Sequence, residues 1–219
     1  MLSKRLSMIL DLVEPCDTLA DVGTDHGYLA LEAILSGKAK QVIAADVRQG
    51  PLKQAQKTFA QASVFDKVKL VLSDGITSIE DPLDAVVISG MGADLILKII
   101  SQDLDKFKKI PQIIVQANTK LHTLRQGMAE LGFQMMAESL TQDGFFYLAQ
   151  RYVYTGLCEA LSEEQAFFGV LLDPDDPLVL AYWTNELNRL SIILKNKTDA
   201  QLQQRLFDHL KTRLEKRVE

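Results

Sequence analysis

Leu19-Ala20-Asp21-Val22-Gly23-Thr24-Asp25-His26-Gly27-Tyr28 is the stretch whose reading decides the fold. A short apolar run suited to a buried strand ends in an acidic residue, turns through Gly23 and enters a helix after Gly27. Gly23 lets the backbone approach a ligand that any Cβ would block. The helix start behind Gly27 offers N–H groups to ligand oxygens. In an open α/β sheet such a turn lies at the carboxyl end of its strand, where ligands bind. Dinucleotide sites require G-x-G-x-x-G to admit a pyrophosphate. Here Asp25 takes the place of the middle glycine. Its carboxylate would repel a pyrophosphate and tolerate a sulfonium, and Asp21 suits the α-amino group of a methionine moiety.

Working outward, apolar runs at Leu19–Val22, Val42–Ala45, Val68–Leu72, Ala85–Ile88 and Ile113–Gln116 alternate with helical patterns at Tyr28–Ser36, Pro51–Ala62, Ala93–Ile100 and Leu121–Leu131. Runs apolar on both faces, alternating with helices, predict a doubly wound parallel sheet with right-handed crossovers. At the start, Ser3 caps a helix carrying Leu6, Ile9, Leu10 and Val13, and Pro15 stops it. After Leu131 the rhythm changes. Phe133–Ser139 and Phe145–Tyr154 read as strands separated by Leu140–Gly144, whose Asp143-Gly144 is a hairpin signal. A mostly parallel sheet ending in an antiparallel hairpin fits the Rossmann-like, seven-stranded class I methyltransferase sheet better than the six-stranded dehydrogenase sheet.

The chain is expected to divide into a catalytic domain, residues 1–160, and a C-terminal helical, coiled-coil region, residues 161–219. The breaker cluster Asp173-Pro174-Asp175-Asp176-Pro177 reads as a junction. Beyond it, Leu180, Trp183, Leu187, Leu190 and Leu194 form a heptad-like seam. Asn196-Lys197-Thr198-Asp199 looks like a turn, and a second helix carries Leu202, Leu206, Leu210 and Leu214. The two helices predict an antiparallel hairpin.

Three further strand ends carry polar or glycine-rich turns. Asp46, 23 residues after Gly23, could accept from both ribose hydroxyls, or cap the next helix. Ser73-Asp74-Gly75 could accept from an adenine amine, or simply turn the chain. Ser89-Gly90-Met91-Gly92 permits close approach and supplies a soft apolar surface. Four such features on four successive strands point to a nucleoside-bearing cofactor. The candidate cofactor-binding set is Asp21, Gly23, Thr24, Asp25, His26, Gly27, Tyr28, Asp46, Val47, Asp74, Gly75, Ser89, Gly90 and Met91.

Composition narrows the class. Apolar residues make up 47% of the 219 and charged residues 24%, ordinary for a soluble protein. No apolar run could span a bilayer, no signal-peptide pattern opens the chain, and a cytoplasmic location is expected. Cys16 and Cys158 lie far apart without C-x-x-C spacing, so no disulfide framework is expected. His26, His122 and His209 show no ligand spacing, and no metal is expected. Net charge is −5, yet residues 178–219 hold eight Lys/Arg against five Asp/Glu. That basic tail is either a footprint for phosphate backbones or a solvated helix surface. Candidate phosphate contacts are Lys4, Arg5, Lys106, Lys108, Lys109, Arg189, Lys195, Lys197, Arg205 and Arg213.

Leu2-Ser3-x-Arg5-Leu6, the stretch from Ala20 to Leu29, Gly90-Met91-Gly92 and Gln116-x-Asn118 with Leu124-Arg125 resemble the bacterial tRNA (adenine-22-N1)-methyltransferases. The resemblance covers essentially the whole chain, and the Asp25-His26 variant of the first loop is its most specific part. It implies S-adenosylmethionine as methyl donor, N1 of an adenine in tRNA as acceptor, and a coiled-coil appendage that helps to hold the tRNA. By family pattern Gly23–Tyr28, Asp46, Asp74-Gly75 and Gly90-Met91 line the cofactor pocket. One departure is Gly92-Ala93, where a further glycine is expected. Adenine N1 has a free lone pair, so no strong base is needed, and alignment and charge stabilisation carry the reaction. Asp25, or else a helix cap at that position, is the candidate for stabilising the methylated base. Asn118, or else a turn residue, is the candidate for its edge. The residues alone leave open a methyltransferase of a small molecule or protein, a non-catalytic nucleotide-binding module, and, least of all, a dehydrogenase. They also leave the oligomeric state open.

Overall fold

The computed structural model describes residues 2–196 and 200–215. The chain packs as two compact units, Met1–Ala160 and Leu161–Glu219. The first contains seven strands: β1 (Cys16–Val22), β2 (Ala39–Asp46), β3 (Val68–Leu72), β4 (Ala85–Gly92), β5 (Gln112–Thr119), β6 (Phe133–Asp143) and β7 (Phe145–Tyr154). They form one sheet in the order β3-β2-β1-β4-β5-β7-β6. Strands β1 to β5 pair in parallel, and β7 runs antiparallel to both β5 and β6. The seven-stranded sheet with its antiparallel end is the expected one. Strand order reverses between β1 and β4, the crevice where open α/β sheets bind ligands.

Helices α1 (Lys4–Asp11), α2 (Tyr28–Leu35), α3 (Gln49–Gln61), α4 (Ala93–Gln102), α5 (Leu104–Phe107) and α6 (Leu121–Glu130) cover the sheet. Alternation of side chains across each strand divides the core into two layers. Ala20, Val22, Ile43, Val86, Ile88, Ile113 and Val115 pack with Ile96, Ile100 and Leu124 of α4 and α6. Leu19, Val42, Ala44, Ala85, Val87 and Ile114 pack with Ile9 of α1, Ala30 of α2 and Phe59 of α3. Asp21, two residues after Leu19, continues the second face to its carboxyl edge.

Several boundaries differ from expectation, each for a physical reason. Strand β1 begins at Cys16 because Cys16, Thr18 and Leu19 all pair with β2, and a backbone ladder needs no apolar side chain. Strand β6 runs to Asp143, since Leu140, Thr141 and Gln142 pair with Leu148, Tyr147 and Phe146. The five-residue loop shrinks to Gly144 at φ 73°. Helix α3 starts at Gln49, leaving Pro51 in its first turn, where a missing N–H is harmless.

The second unit holds α7 (Glu163–Phe168), α8 (Pro177–Asn196) and α9 (Gln201–Glu215). Helices α8 and α9 pack together as the predicted pair. The turn expected at Asn196–Asp199 falls mostly on residues 197–199, outside the described residues. Helix α7 was missed. Its signal was Ser162-x-x-Gln165, a reciprocal capping box closed in both directions. The Trp183 indole donates to Phe168 O at 2.9 Å, and the Arg213 guanidinium lies 4.0 Å over the Trp183 ring. The breaker cluster at Asp173–Pro177 therefore separates α7 from α8 inside the second unit and is no junction between units.

Arg125 of α6 and Glu138 of β6, both with wholly buried side chains, form an ion pair at 2.6 Å. The same Glu138 oxygen accepts from Arg125 Nε at 2.9 Å and from Gln150 Nε2 at 3.2 Å. Arg125→Met would remove the Arg125 charge from a buried carboxylate and is expected to lower stability by about 3–5 kcal/mol. Replacing both partners with Met should recover most of that loss. Urea unfolding of the two variants measures the difference, and equal losses would contradict the assignment.

Candidate active site

The loop from Gly23 to Gly27 is built from unusual backbone. Gly23, Asp25 and Gly27 have φ of 81°, 25° and 72°. Gly23 and Thr24 both donate N–H to Ala45 O, at 2.8 and 3.1 Å, which ties the turn to the end of β2. Glycine is favoured at position 23 by its positive φ, and a Cβ there would also displace the Met91 methyl. Gly27 likewise leaves room for Phe59. Strand β4 thus presses Met91 against the first loop, and the two glycine turns form one surface.

Two carboxylates end adjacent strands here. Asp21 and Asp46 are only 5% and 6% exposed. Thr24 Oγ1 donates to Asp21 Oδ2 at 2.7 Å. Arg48 N–H donates to Asp46 Oδ1 at 2.8 Å, with Arg48 Nε 3.7 Å away. Burial, opposed by the Thr24 hydrogen bond and assisted by the Asp46 charge, pushes the Asp21 carboxyl up to about 6. Among the described residues no cation pairs with Asp21. A buried acid beside a second acid, with no cation of its own, fits a cationic ligand group and disfavours an anionic one.

Asp46 is not the cap of α3. That helix has Arg48 at its N-cap and no side-chain cap. Asp25 does not cap α2 either, because Gly27 occupies the N-cap without a side-chain bond. The Asp25 carboxylate is 75% exposed and 3.6 Å from His26 Nε2. The His26 and Tyr28 rings stack at 5.5 Å. Val47 and Asp74 are exposed beyond β2 and β3. Buried Ser73 donates its N–H to Asp46 O, and Gly75 adopts φ 61°. Ser89 lies at the bulge in β4, paired with Gln116. Gly92 has an ordinary extended backbone and Ala93 begins α4 fully buried, so the expected extra glycine is unnecessary.

Sequence reasoning missed the polar network between β4 and β5. Gln116, fully buried, accepts at Oε1 from Arg5 Nη1 at 3.0 Å and from Gly90 N at 3.1 Å. Its Nε2 donates to Asn118 Oδ1 at 3.0 Å, and Asn118 Nδ2 donates to Gly90 O at 2.8 Å. Asn118 is thus a strand residue bracing the Gly90 turn, not a turn residue. The only hint was Gln116-x-Asn118 itself, since residues two apart on a strand share a face.

The cations singled out for phosphate contact are differently committed. Lys106 donates to the carbonyls of Ile76, Thr77 and Ile79. Lys108 pairs with Asp105, Arg189 with Glu186, and Arg205 with Glu163. Exposed pairs of this kind contribute about 0–1 kcal/mol and are easily exchanged. Lys4, Lys109 and Lys195 are exposed, and Lys197 lies outside the described residues. His209 pairs with Glu164 at 2.6 Å. Burial and the nearby Asp84 and Asp17 charges raise the Cys16 thiol to about 11, so it is no nucleophile near neutrality. Among the described residues, no three His, Cys, Asp or Glu side chains are grouped to share a metal ion, and no helix is long and apolar enough to cross a membrane.

The raised Asp21 carboxyl makes a stability prediction. Between its unfolded value of 3.8 and about 6, the folded protein holds more protons than the unfolded chain. The Asp21 contribution is therefore full below pH 3.8 and is lost as pH rises through 6, by about 3 kcal/mol at most. Asp21→Asn should remove that slope from unfolding free energies measured between pH 4 and 7. An unchanged slope would show that the carboxyl is not desolvated.

Residues 2–149 match a family model described as a methyltransferase domain. The tRNA (adenine(22)-N(1))-methyltransferase of Bacillus subtilis is 26% identical over 212 residues, covering 91% of this chain and 87% of the relative. A Streptococcus pneumoniae structure, Sp1610 in complex with S-adenosyl-L-methionine, superposes with a TM-score of 0.88 at 29% identity, covering 98% of this chain and 100% of the other. M. capricolum TrmK in complex with S-adenosyl-homocysteine superposes with a TM-score of 0.79 at 26% identity, covering 99% and 96%. A match across two thirds of the chain, from α1 through β6, decides the family: this chain belongs to the methyltransferase-domain proteins.

Proposed function

We propose that this protein transfers a methyl group from S-adenosylmethionine to N1 of an adenine in tRNA, at the position corresponding to adenine 22. The observation that carries the reading is the buried Asp21–Asp46 edge beside the Gly23–Met91 contact, in which Asp21 has no cation among the described residues. It suits a ligand bearing an ammonium, and the relatives that share this architecture include one solved with S-adenosyl-L-methionine. The adenine-22 target is supported by the Bacillus subtilis relative, matched over 91% of this chain.

Residues 1–160 form the catalytic domain in this reading and residues 161–219 the helical region that assists tRNA binding. Asp21 receives the α-ammonium and Asp46 the ribose hydroxyls. Asp74 and Gly75 flank the adenine ring of the cofactor, and Gly23, Thr24, His26, Gly27, Tyr28, Val47, Ser89, Gly90 and Met91 complete the walls. S-adenosylmethionine supplies an electrophilic methyl group on a positively charged sulfur. The protein aligns the adenine lone pair with that methyl, which converts a bimolecular encounter into an oriented one. As the N1–methyl bond forms the methyl–sulfur bond would break, leaving S-adenosylhomocysteine as a neutral thioether, and the Asp25 carboxylate would stabilise the positive charge that passes to the base. Asn118, held by Gln116 and Gly90, presents its amide to the edge of the base.

Labelled methyl transfer to bulk tRNA, followed by nucleoside analysis, should give 1-methyladenosine. Label in a protein or small molecule, or cofactor binding with no transfer, would support the other readings. Asp25→Ala should lower kcat by about a hundredfold with cofactor affinity within a few-fold of the parent. Unchanged turnover would remove Asp25 from the mechanism. Asn118→Ala should lower kcat by about tenfold, and an effect confined to KM would indicate binding alone.

A further inference from the structure

We infer that Arg5 is the receptor for a backbone phosphate of the RNA next to the adenosine being methylated, an inference that rests on the function proposed above. Arg5 is one of the two cations on the first turn of α1, and it differs in kind from exposed Lys4. It is half-buried, Nη1 is bonded to buried Gln116, and its guanidinium lies 5.8 Å from the centre of the Tyr147 ring. A Cβ added to Gly90 would sit 3.2 Å from Nη1, so the guanidinium rests directly on the β4 turn. Among the described residues it has no carboxylate partner. A guanidinium carries five donors in a fixed fork suited to a phosphate, and one bond to Gln116 leaves others to spare.

The position is rigid. Met8, Ile9 and Leu10 bury the middle of α1. Gln112, four residues before Gln116 on β5, clasps the chain three residues beyond the end of α1, accepting from the N–H of Glu14 at 2.9 Å and donating to its carbonyl at 3.0 Å. Arg151 pairs with the Glu14 side chain at 2.8 Å. Two buried glutamines of one strand therefore hold α1 so that Arg5 overhangs Gly90.

The electrostatics select the ligand. The proposed reaction places positive charge on the base beside Gly90, and a lone guanidinium there would oppose it. A phosphate on Arg5 cancels that opposition and enters with the RNA strand that delivers the base. The competing anion is the cofactor's carboxylate. The sheet order sets the two apart: the acidic edge lies on β1 and β2, whereas Arg5 is seated on β4, β5 and Tyr147 of β7, each strand about 4.8 Å further along.

The test uses the full chain, purified tRNA and Arg5→Gln and Arg5→Lys variants, with thermal melts to verify folding. For Arg5→Gln, the slope of log affinity for tRNA against log salt should become shallower by about 1, as for loss of one phosphate contact. The KM for tRNA should rise about tenfold with kcat within about twofold, and affinity for S-adenosylmethionine should not change. Arg5→Lys, keeping the charge without the fork, should retain the salt slope and recover part of the KM. An unchanged salt slope with a fallen kcat would overturn the inference and make Arg5 a support for Asn118. Weakened cofactor binding with an unchanged slope would overturn it in favour of the carboxylate. If Arg5→Gln fails to fold, Arg5→Lys still decides: a lost slope contradicts the inference. Should the parent protein neither bind nor methylate tRNA, the failure belongs to the proposed function.

Discussion

A buried carboxyl with no cation of its own is the constraint on which the rest of this structure turns. Asp21 sits at the end of a strand whose preceding residues are sealed in the core, so its desolvation is imposed by the sheet itself. One threonine hydroxyl is a small compensation, and Asp46 on the neighbouring strand makes the position worse. A fold keeps such an arrangement when something outside the chain completes it. The left-handed turns at Gly23 and Gly27 swing the chain off the strand end beside this carboxyl.

Across the switch point the chemistry changes sign. The β1–β2 edge is acidic, whereas the β4–β5 edge is amide-lined, with Gln116 joining Asn118, Gly90 and Arg5. An acidic edge suits a cationic donor, and an amide-lined edge suits a neutral base that gains charge only as it reacts. Met91 belongs to both, because its methyl fills the space that a side chain at position 23 would need. The two halves of the site are therefore coupled by packing as well as by position.

Much of the fold was legible because parallel strands buried on both faces are written as runs of Val, Ile, Leu and Ala, and Val42–Ala45 and Ile113–Gln116 are such runs. The turns after them were legible because glycine and aspartate at a strand end have few other uses. What escaped was written in polar residues. Leu140, Thr141 and Gln142 pair with Leu148, Tyr147 and Phe146 just across the Gly144 turn, a backbone ladder that leaves no apolar alternation to read in Thr141 and Gln142. The α7 helix is only six residues long, and its capping box was overlooked among charged neighbours. Arg5 was singled out with nine other cations as a candidate phosphate contact, but what sets it apart from them, its bond to Gln116, comes from 111 residues away. Asn118 and Asp25 were singled out for chemistry against bland alternatives, a turn and a cap; neither alternative survives the backbone geometry.

Calorimetry of S-adenosylmethionine binding at pH 6, in buffers of different ionisation enthalpy, tests the central claim most directly. If an ammonium docks on Asp21, binding must expel the proton that burial keeps there, and about half a proton should be released per site, with none released by Asp21→Asn. Binding without proton release, or tight uptake of NAD with none of S-adenosylmethionine, would contradict the account.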